Sequence, residues 1–204
     1  MDKAQFVKEM EFNRDLNELE YLIYKIYFNA APTVKGLKPS TLLNFTNMNH
    51  IKLFDIWKRN KAFLADRLHI KFKELKQKEN GVIVLFYNED MMRSILCENE
   101  NECFLRDRGF KDCKAVDFAL HQLKSRFQKD CPDEVGLFLG YPLSDVKMFL
   151  KGNTSACKLS RYWKAYTDIA NTLVKWEQYD KALEEVMCEL YASSSPLEVL
   201  AAAN

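Results

Sequence analysis

Two short segments of the sequence carry side chains that could bind an anion. The run from Gly140 to Asp145 (Gly-Tyr-Pro-Leu-Ser-Asp) follows a predicted strand and opens a predicted helix. Backbone N–H groups at such an elbow face the usual ligand position of an α/β sheet, so Tyr141 and Asp145 are candidate ligand-binding residues. The alternative is a capped turn in which Asp145 satisfies its own helix end and Tyr141 packs over it.

The second segment contains Lys38, Ser40 and Thr41, which follow Gly36 in a predicted loop. Pro39 favours the first turn of a helix, so these three side chains would stand at a helix start. A lysine and two hydroxyl groups there could hold a phosphate, although Ser and Thr are equally common as ordinary N-caps.

A third candidate is the aromatic run from Arg161 to Tyr166, which we predict to be a strand. Alternation along a strand would put Tyr162, Lys164 and Tyr166 on one face. Such a face could stack a planar ligand or a base around a central lysine. The alternative is that Trp163 is core and the other face is solvated.

The sequence predicts no catalytic residues and no metal ligands. It contains no nucleotide-binding glycine motif, no Gly-x-Ser-x-Gly elbow and no His-x-x-x-His pair, and its three histidines, at 50, 69 and 121, are far apart. Its six cysteines include no Cys-x-x-Cys pair and are predicted to be free, mostly buried thiols. No cofactor is indicated.

Composition points to an ordinary folded protein without a strong overall field. The 204 residues include 30 basic and 29 acidic side chains, a formal net charge of +1. Nucleic acid and anionic membranes are therefore not favoured as partners, although Lys52 to Lys78 is rich in lysine. The start of the chain does not look like a secretory signal, and apolar runs such as Val82–Tyr87 are too short for a membrane span. We expect a soluble, cytoplasmic protein.

Periodicity predicts a single α/β domain over residues 1–204, with α+β as the alternative: a small mixed sheet of about four strands, including a β-hairpin, covered by helices. The predicted strands are 68–73, 82–87, 135–139 and 159–166, with the hairpin turn at Asn80-Gly81. The predicted helices are 4–27, 39–45, 49–64, 89–96, a short helix before Gly109, 114–128, 142–150 and 168–191, with a frayed C-terminal end.

Three segments together resemble a bacterial domain-of-unknown-function family, number thirty-seven ninety-three. They are Ala31–Ser40 (APTVKGLKPS), Glu134–Val146 (EVGLFLGYPLSDV) and Tyr162–Tyr166 (YWKAY). The resemblance spans most of the chain and implies a bacterial, intracellular protein without an established activity. The family pattern has His at the position of Asp133 and several cysteines before the last segment, where this chain keeps only Cys157. A metal or redox site built on those cysteines would therefore be lost here.

The sequence favours a cytosolic accessory protein that binds a small anionic or planar ligand, or a protein partner, without catalysis. One alternative is an enzyme acting on a phosphorylated or cofactor-like molecule. Lys38, Ser40, Tyr141 and Asp145 would then share a cleft, with Lys164 or Tyr166 as proton donor. A second alternative is a nucleic-acid-linked regulator that uses the basic hairpin.

Overall fold

The computed structural model describes residues 12, 15–48, 51–152 and 154–202. Its elements in chain order are α1 (Glu18–Val34), β1 (Ser40–Thr46), α2 (Leu53–Ala65), β2 (Lys71–Lys78), β3 (Gly81–Tyr87), α3 (Glu89–Cys97), α4 (Asn99–Asp107), α5 (Val116–Phe127), α6 (Val135–Phe138), α7 (Leu143–Leu150), a 3₁₀ turn (Thr154–Ala156), β4 (Leu159–Ser160), β5 (Lys164–Ala165), α8 (Ile169–Ala192) and α9 (Pro196–Ala202). The predicted mixture of helix and sheet is confirmed. Because all strand pairs in these residues are antiparallel, the α+β alternative describes the fold better than a mixed sheet.

The central strand β3 is covered on both faces, as its continuous apolar run predicts. The strand order is β1-β3-β2. Val84 and Phe86 belong to one hydrophobic cluster, while Leu85 and Tyr87 belong to another on the opposite face. The first cluster is completed by α1, α2, α8 and α9, and the second by α3 to α7. A third, aromatic cluster holds Trp163, Ala165, Trp176 and Tyr179.

Helix α1 begins after a non-helical stretch at residues 15–17, inside the predicted helix, and ends later than its sequence pattern predicts. A capping box starts it: Asn17 Oδ1 accepts from Glu20 N at 3.0 Å, and Glu20 Oε2 accepts from Asn17 N at 2.9 Å. The predicted start at Ala4 lies outside the described residues. The helix runs through Pro32 to Val34, where a loop was expected, and the Pro32 carbonyl then accepts from the N–H groups of Leu37 and Lys38.

The segment Ser40–Thr46 is a strand, so the predicted helix over 39–45 is wrong. All seven of its residues pair with β3, from Ser40 opposite Tyr87 to Thr46 opposite Gly81. This long-range pairing outweighs the local helix-start signal of Pro39, because secondary-structure propensity is weaker than burial against a neighbouring strand. The predicted hairpin is confirmed, but its first strand is Lys71–Lys78 rather than 68–73, and its turn lies at residues 79–80.

Two other predicted strands are also wrong. Val135–Phe138 is a single helical turn, α6, packed in the second cluster. A short apolar run cannot be distinguished from a buried strand by periodicity alone. The predicted strand over 159–166 is instead a ribbon of two-residue strands, β4 and β5, which reverses direction at residues 161–163. The C-terminal segment predicted to fray is helix α9.

The edge strand β2 carries a bulge and exposed lysines. Its register against β3 shifts between Glu74 and Lys76, which leaves Leu75 unpaired and fully buried in the second cluster. Phe72 and Glu74 lie toward the first cluster, where Glu74 Oε1 accepts from the Trp57 Nε1–H at 2.7 Å. The bulge therefore lets one edge strand contribute side chains to both layers.

Gly140 lies in the turn between α6 and α7, where this turn contacts the loop before β1. Its φ of +76° suits glycine, and a Cβ there would lie 2.5 Å from Pro39 Cδ. Next to this contact, Ser40 Oγ donates to the Phe138 carbonyl at 2.7 Å. Pro39 and Gly140 thus fix β1 against the α6–α7 turn.

We expect Gly140→Ala to destabilise the protein more than Gly152→Ala. Both glycines have positive φ, but nothing lies within 4 Å of a Cβ at Gly152. Gly152→Ala should cost about 1 kcal/mol for backbone strain alone. Gly140→Ala should cost about 1–3 kcal/mol more because of the overlap with Pro39. Urea unfolding of both variants measures the difference, and equal losses would show that the Pro39 contact is not close-packed.

Candidate functional site

Three of the predicted site residues, Tyr141, Asp145 and Lys164, line one cavity of about 400 Å³. We call it the aromatic cavity. It lies between the loop after α5, helices α6 and α7, and the β4–β5 ribbon. Its lining residues are Cys131, Pro132, Asp133, Val135, Gly136, Tyr141, Asp145, Val146, Phe149, Trp163 and Lys164. The volume lies within the range of small-molecule sites, and most of the lining is apolar.

Asp145 is the hydrogen-bonding centre beneath this cavity. Its Oδ1 accepts from Tyr166 N, Thr167 N and Thr167 Oγ1, each at 2.9 Å, and its Oδ2 accepts from Trp163 Nε1 at 2.9 Å. The residue is 2 % exposed. The interpretation that Asp145 caps its own helix is therefore wrong, because its carboxylate joins α7 to the ribbon instead. With four donors bound, it is a positioning group rather than a general base.

Two stacked aromatic rings form a wall of the cavity. Tyr141 and Trp163 lie 5.4 Å apart between ring centroids, with an interplanar angle of 24°. Trp163 also meets Trp176 edge-on at 5.3 Å. A Cβ at Gly136 would lie 3.1 Å from both Tyr141 Cδ2 and Val146 Cγ2, so glycine allows the Tyr141 ring to approach α6. The wall is held before any ligand arrives.

The rim of the aromatic cavity carries the polar groups. Lys164 Nζ lies 5.6 Å from the Phe149 ring centroid and is exposed. Asp133 and Cys131 line the same opening. Cys131 is exposed as a residue, but desolvation of its sulfur by neighbouring atoms raises the pKa of the thiol, and the charges of Asp133 and Glu134 raise it further. The thiol therefore stays protonated near neutral pH. The opening therefore offers one cation and one carboxylate to a ligand.

Lys38 lies behind the wall rather than in the cavity. It is 8 % exposed, and its Nζ is 5.7 Å from the Tyr141 ring centroid. In the described part of the chain no carboxylate lies within ion-pair distance of it. Burial lowers the pKa of Lys38 to about 8. The enzyme hypothesis requires Lys38, Asp145 and Lys164 to share one cleft. Because Lys38 does not line the aromatic cavity, they do not share one.

Ser40 and Thr41 are engaged inside the fold. Ser40 is fully buried and bonded to the Phe138 carbonyl, and Thr41 Oγ1 shares a 2.8 Å hydrogen bond with Thr33 Oγ1. The phosphate hypothesis requires a helix to start at this segment. Ser40 and Thr41 instead begin strand β1, which pairs with β3.

Tyr162, Lys164 and Tyr166 do not form one exposed face. The Tyr162 hydroxyl donates to Asp180 Oδ1 at 2.8 Å, and burial with this carboxylate raises the pKa of Tyr162 to about 12. Tyr166 is 3 % exposed, and its hydroxyl is buried without a hydrogen-bond partner in the described structure. Lys164 alone is exposed, because the short ribbon breaks the alternation of a continuous strand.

Sequence reasoning missed most of the cavity wall. The sequence predicts a strand over Val135 and Gly136 and a helix over Val146 and Phe149, and it gives none of them a binding role. All four line the aromatic cavity. The one available signal was Gly136, a glycine inside an apolar run, which marks close approach of another group. The prediction of mostly buried cysteines is also wrong: the six thiols are free, but Cys97, Cys103, Cys131 and Cys188 are exposed.

The remaining chemistry of the described residues is limited. They contain no group of three or more His, Cys, Asp or Glu side chains placed to hold a metal ion. None of the helices they form is long and apolar enough to cross a membrane. In the lysine-rich segment, Lys58, Arg59 and Lys61 of α2 and Lys71 of the hairpin pair with carboxylates, which reduces the positive field of this segment.

We expect Asp145→Asn to destabilise the protein by about 2–4 kcal/mol, because an amide cannot accept all four hydrogen bonds. Near-ultraviolet circular dichroism should change as well, since Trp163 loses its anchor. Asp90→Asn, an exposed substitution in the first turn of α3, is the control and should cost under about 0.5 kcal/mol. Similar unfolding midpoints for the two variants would contradict the central role of Asp145.

We expect Lys38→Met to stabilise the protein by about 3 kcal/mol at pH 7, because the folded state there buries a charge. The folded pKa of about 8 lies below the unfolded value of 10.5. The penalty is complete below pH 8 and disappears between pH 8 and 10.5 as the folded lysine loses its proton first. Urea unfolding should therefore show the two proteins converging as the pH rises. Lys25→Met, which removes a lysine over two tyrosine rings, is the control. A difference independent of pH would refute the buried charge.

Comparison of the chain with curated proteins and with solved structures finds no match. The model of one family does match, over residues 26–200, which is most of the chain. The matched span covers β1, α6, α7 and the β4–β5 ribbon, and hence the whole aromatic cavity. The chain belongs to the family described as protein of unknown function (DUF3793).

Proposed function

We propose that this protein binds a planar, mainly apolar small molecule in the aromatic cavity, without catalysing a reaction. The observation that carries the proposal is the stacked pair of Tyr141 and Trp163 in the wall of a cavity of about 400 Å³. A preformed flat wall favours a fused aromatic ring, because little conformational freedom is lost when the ligand stacks.

The charges at the opening favour a ligand with an anionic substituent. Lys164 is exposed at the rim, and its Nζ lies over the Phe149 ring. A ring system placed against the wall would direct a carboxylate or sulfonate toward this amine. An exposed ion pair contributes little affinity, so Lys164 would select among ligands while the aromatic wall supplies most of the binding.

Binding without catalysis is supported by the state of the polar groups. The Asp145 carboxylate is fully hydrogen-bonded, and a raised pKa keeps Cys131 a thiol. Tyr141 has a pKa raised by burial. None of these groups is prepared to take a proton from a ligand or to attack it at neutral pH.

The test uses two fluorescent probes that differ only by a sulfonate, 8-anilinonaphthalene-1-sulfonate and N-phenyl-1-naphthylamine. We expect both to bind and both to be lost in Tyr141→Ala. Lys164→Met should weaken only the sulfonate by roughly 3-fold, the contribution of an exposed ion pair. Fluorescence titration measures each affinity.

Lys151→Met is the matched control, because Lys151 is exposed at the end of α7 but does not line the aromatic cavity. It should leave both affinities unchanged. If Tyr141→Ala retains both probes while the protein stays folded, the aromatic cavity is not the binding site.

A further inference from the structure

A second cleft lies away from the aromatic cavity, where the C-terminal end of α1 meets α8, α9 and the residues before β2. We call it the Tyr27 cleft. Its volume is about 720 Å³, and its lining includes Tyr27, Val34, Lys35, His69, Glu189 and Val199. It combines charged side chains at its opening with aliphatic walls.

Tyr27 brings an unused hydrogen-bond donor to this cleft. The residue is 2 % exposed, and its hydroxyl is buried without a hydrogen-bond partner in the described structure. Burial, together with the nearby Glu189 carboxylate, raises the pKa of Tyr27 to about 12, so the hydroxyl keeps its proton at neutral pH. A buried O–H without an acceptor is unfavourable, and an acceptor atom on a ligand would satisfy it.

Lys35 and Glu189, which line the same cleft as Tyr27, form an ion pair with 2.5 Å between Nζ and Oε1. Both side chains remain partly exposed, at 26 % and 51 %. A simple anion that bound Lys35 would draw the lysine away from Glu189 and leave two negative groups facing each other. A molecule with both charges would instead keep Lys35 and Glu189 each paired.

We propose that the Tyr27 cleft binds a small zwitterion of the α-amino-acid type with an aliphatic side chain. Its carboxylate accepts from the Tyr27 hydroxyl and pairs with Lys35. Its ammonium group pairs with Glu189, and its side chain packs against Val34 and Val199. This site is separate from the aromatic cavity and does not depend on the function proposed there.

Isothermal titration calorimetry with three related probes tests the charge pattern. They are L-leucine, 4-methylpentanoate, which lacks the amino group, and 3-methylbutylamine, which lacks the carboxylate. We expect L-leucine to bind at least about 10-fold more tightly than either single-charge analogue. Equal affinity for 4-methylpentanoate, or no heat from L-leucine up to about 10 mM, would overturn the proposal.

Tyr27→Phe tests the hydroxyl directly. Because this substitution removes a group without a partner, the variant should fold as well as the original chain. It should weaken L-leucine by about 10-fold, the effect of losing a hydrogen bond to a charged group. Tyr21→Phe changes another α1 tyrosine outside the cleft lining and should leave the affinity unaltered. Unchanged affinity in Tyr27→Phe would remove the hydroxyl from the site and refute the proposal.

Discussion

The carboxylate of Asp145 holds together the part of the molecule that contains the aromatic cavity. Its four donors come from residues 18 to 22 positions further along the chain, on a ribbon whose strands have only two residues each. Two backbone pairs would not keep such a ribbon in place, because short isolated hairpins are only marginally stable. A buried carboxylate that binds backbone N–H groups can do so, since charge-assisted hydrogen bonds are among the strongest in proteins. The orientation of Trp163, and with it the cavity wall, follows from this one side chain.

The two elbows that the sequence singles out as anion sites are in contact with each other. Gly140 lies against Pro39, and Ser40 donates its hydroxyl to the carbonyl of Phe138. Each segment therefore contacts the other where an external anion was predicted to bind. Lys38, which precedes Pro39, is also buried, and its Nζ lies over the Tyr141 ring. The Lys38 ammonium group has no carboxylate partner in the described structure. The folded protein therefore bears the free-energy cost of burying this charge.

Local signals predict those elements whose ends are set by their own residues. Asn88 caps α3, with its Oδ1 accepting from Met91 N, and Asp168 caps α8. The hairpin follows from the alternation over residues 68–73, which overlaps the start of β2, and from the apolar run of β3. In contrast, Ser40–Thr46 and Val135–Phe138 depend on what lies beside them. The first becomes a strand because β3 has a free edge, and the second becomes a helical turn in the cluster beneath Tyr141.

The candidate site, like the fold, could be predicted from the sequence only in part. Tyr141, Asp145 and Lys164 could be identified because they stand in distinctive motifs and have reactive or aromatic side chains. Their roles could not be assigned, because the partners of Asp145 come from a distant ribbon. The walls formed by Val135 and Phe149 could not be found at all, since apolar residues acquire a binding role only through the shape of the space between elements.

The bulge at Leu75 has a consequence for how the molecule behaves among other copies of itself. An unpaired β-edge is a template on which another chain can add a strand, and long runs of this kind lead to fibrous assemblies. On β2 the ladder is interrupted midway, and Lys78 projects from one end as an exposed cation, while Lys71 at the other end is paired with Glu89. An incoming strand would find its register broken after four residues. The same insertion that lets β2 serve two hydrophobic layers thus protects the β2 edge of the sheet from pairing with another chain.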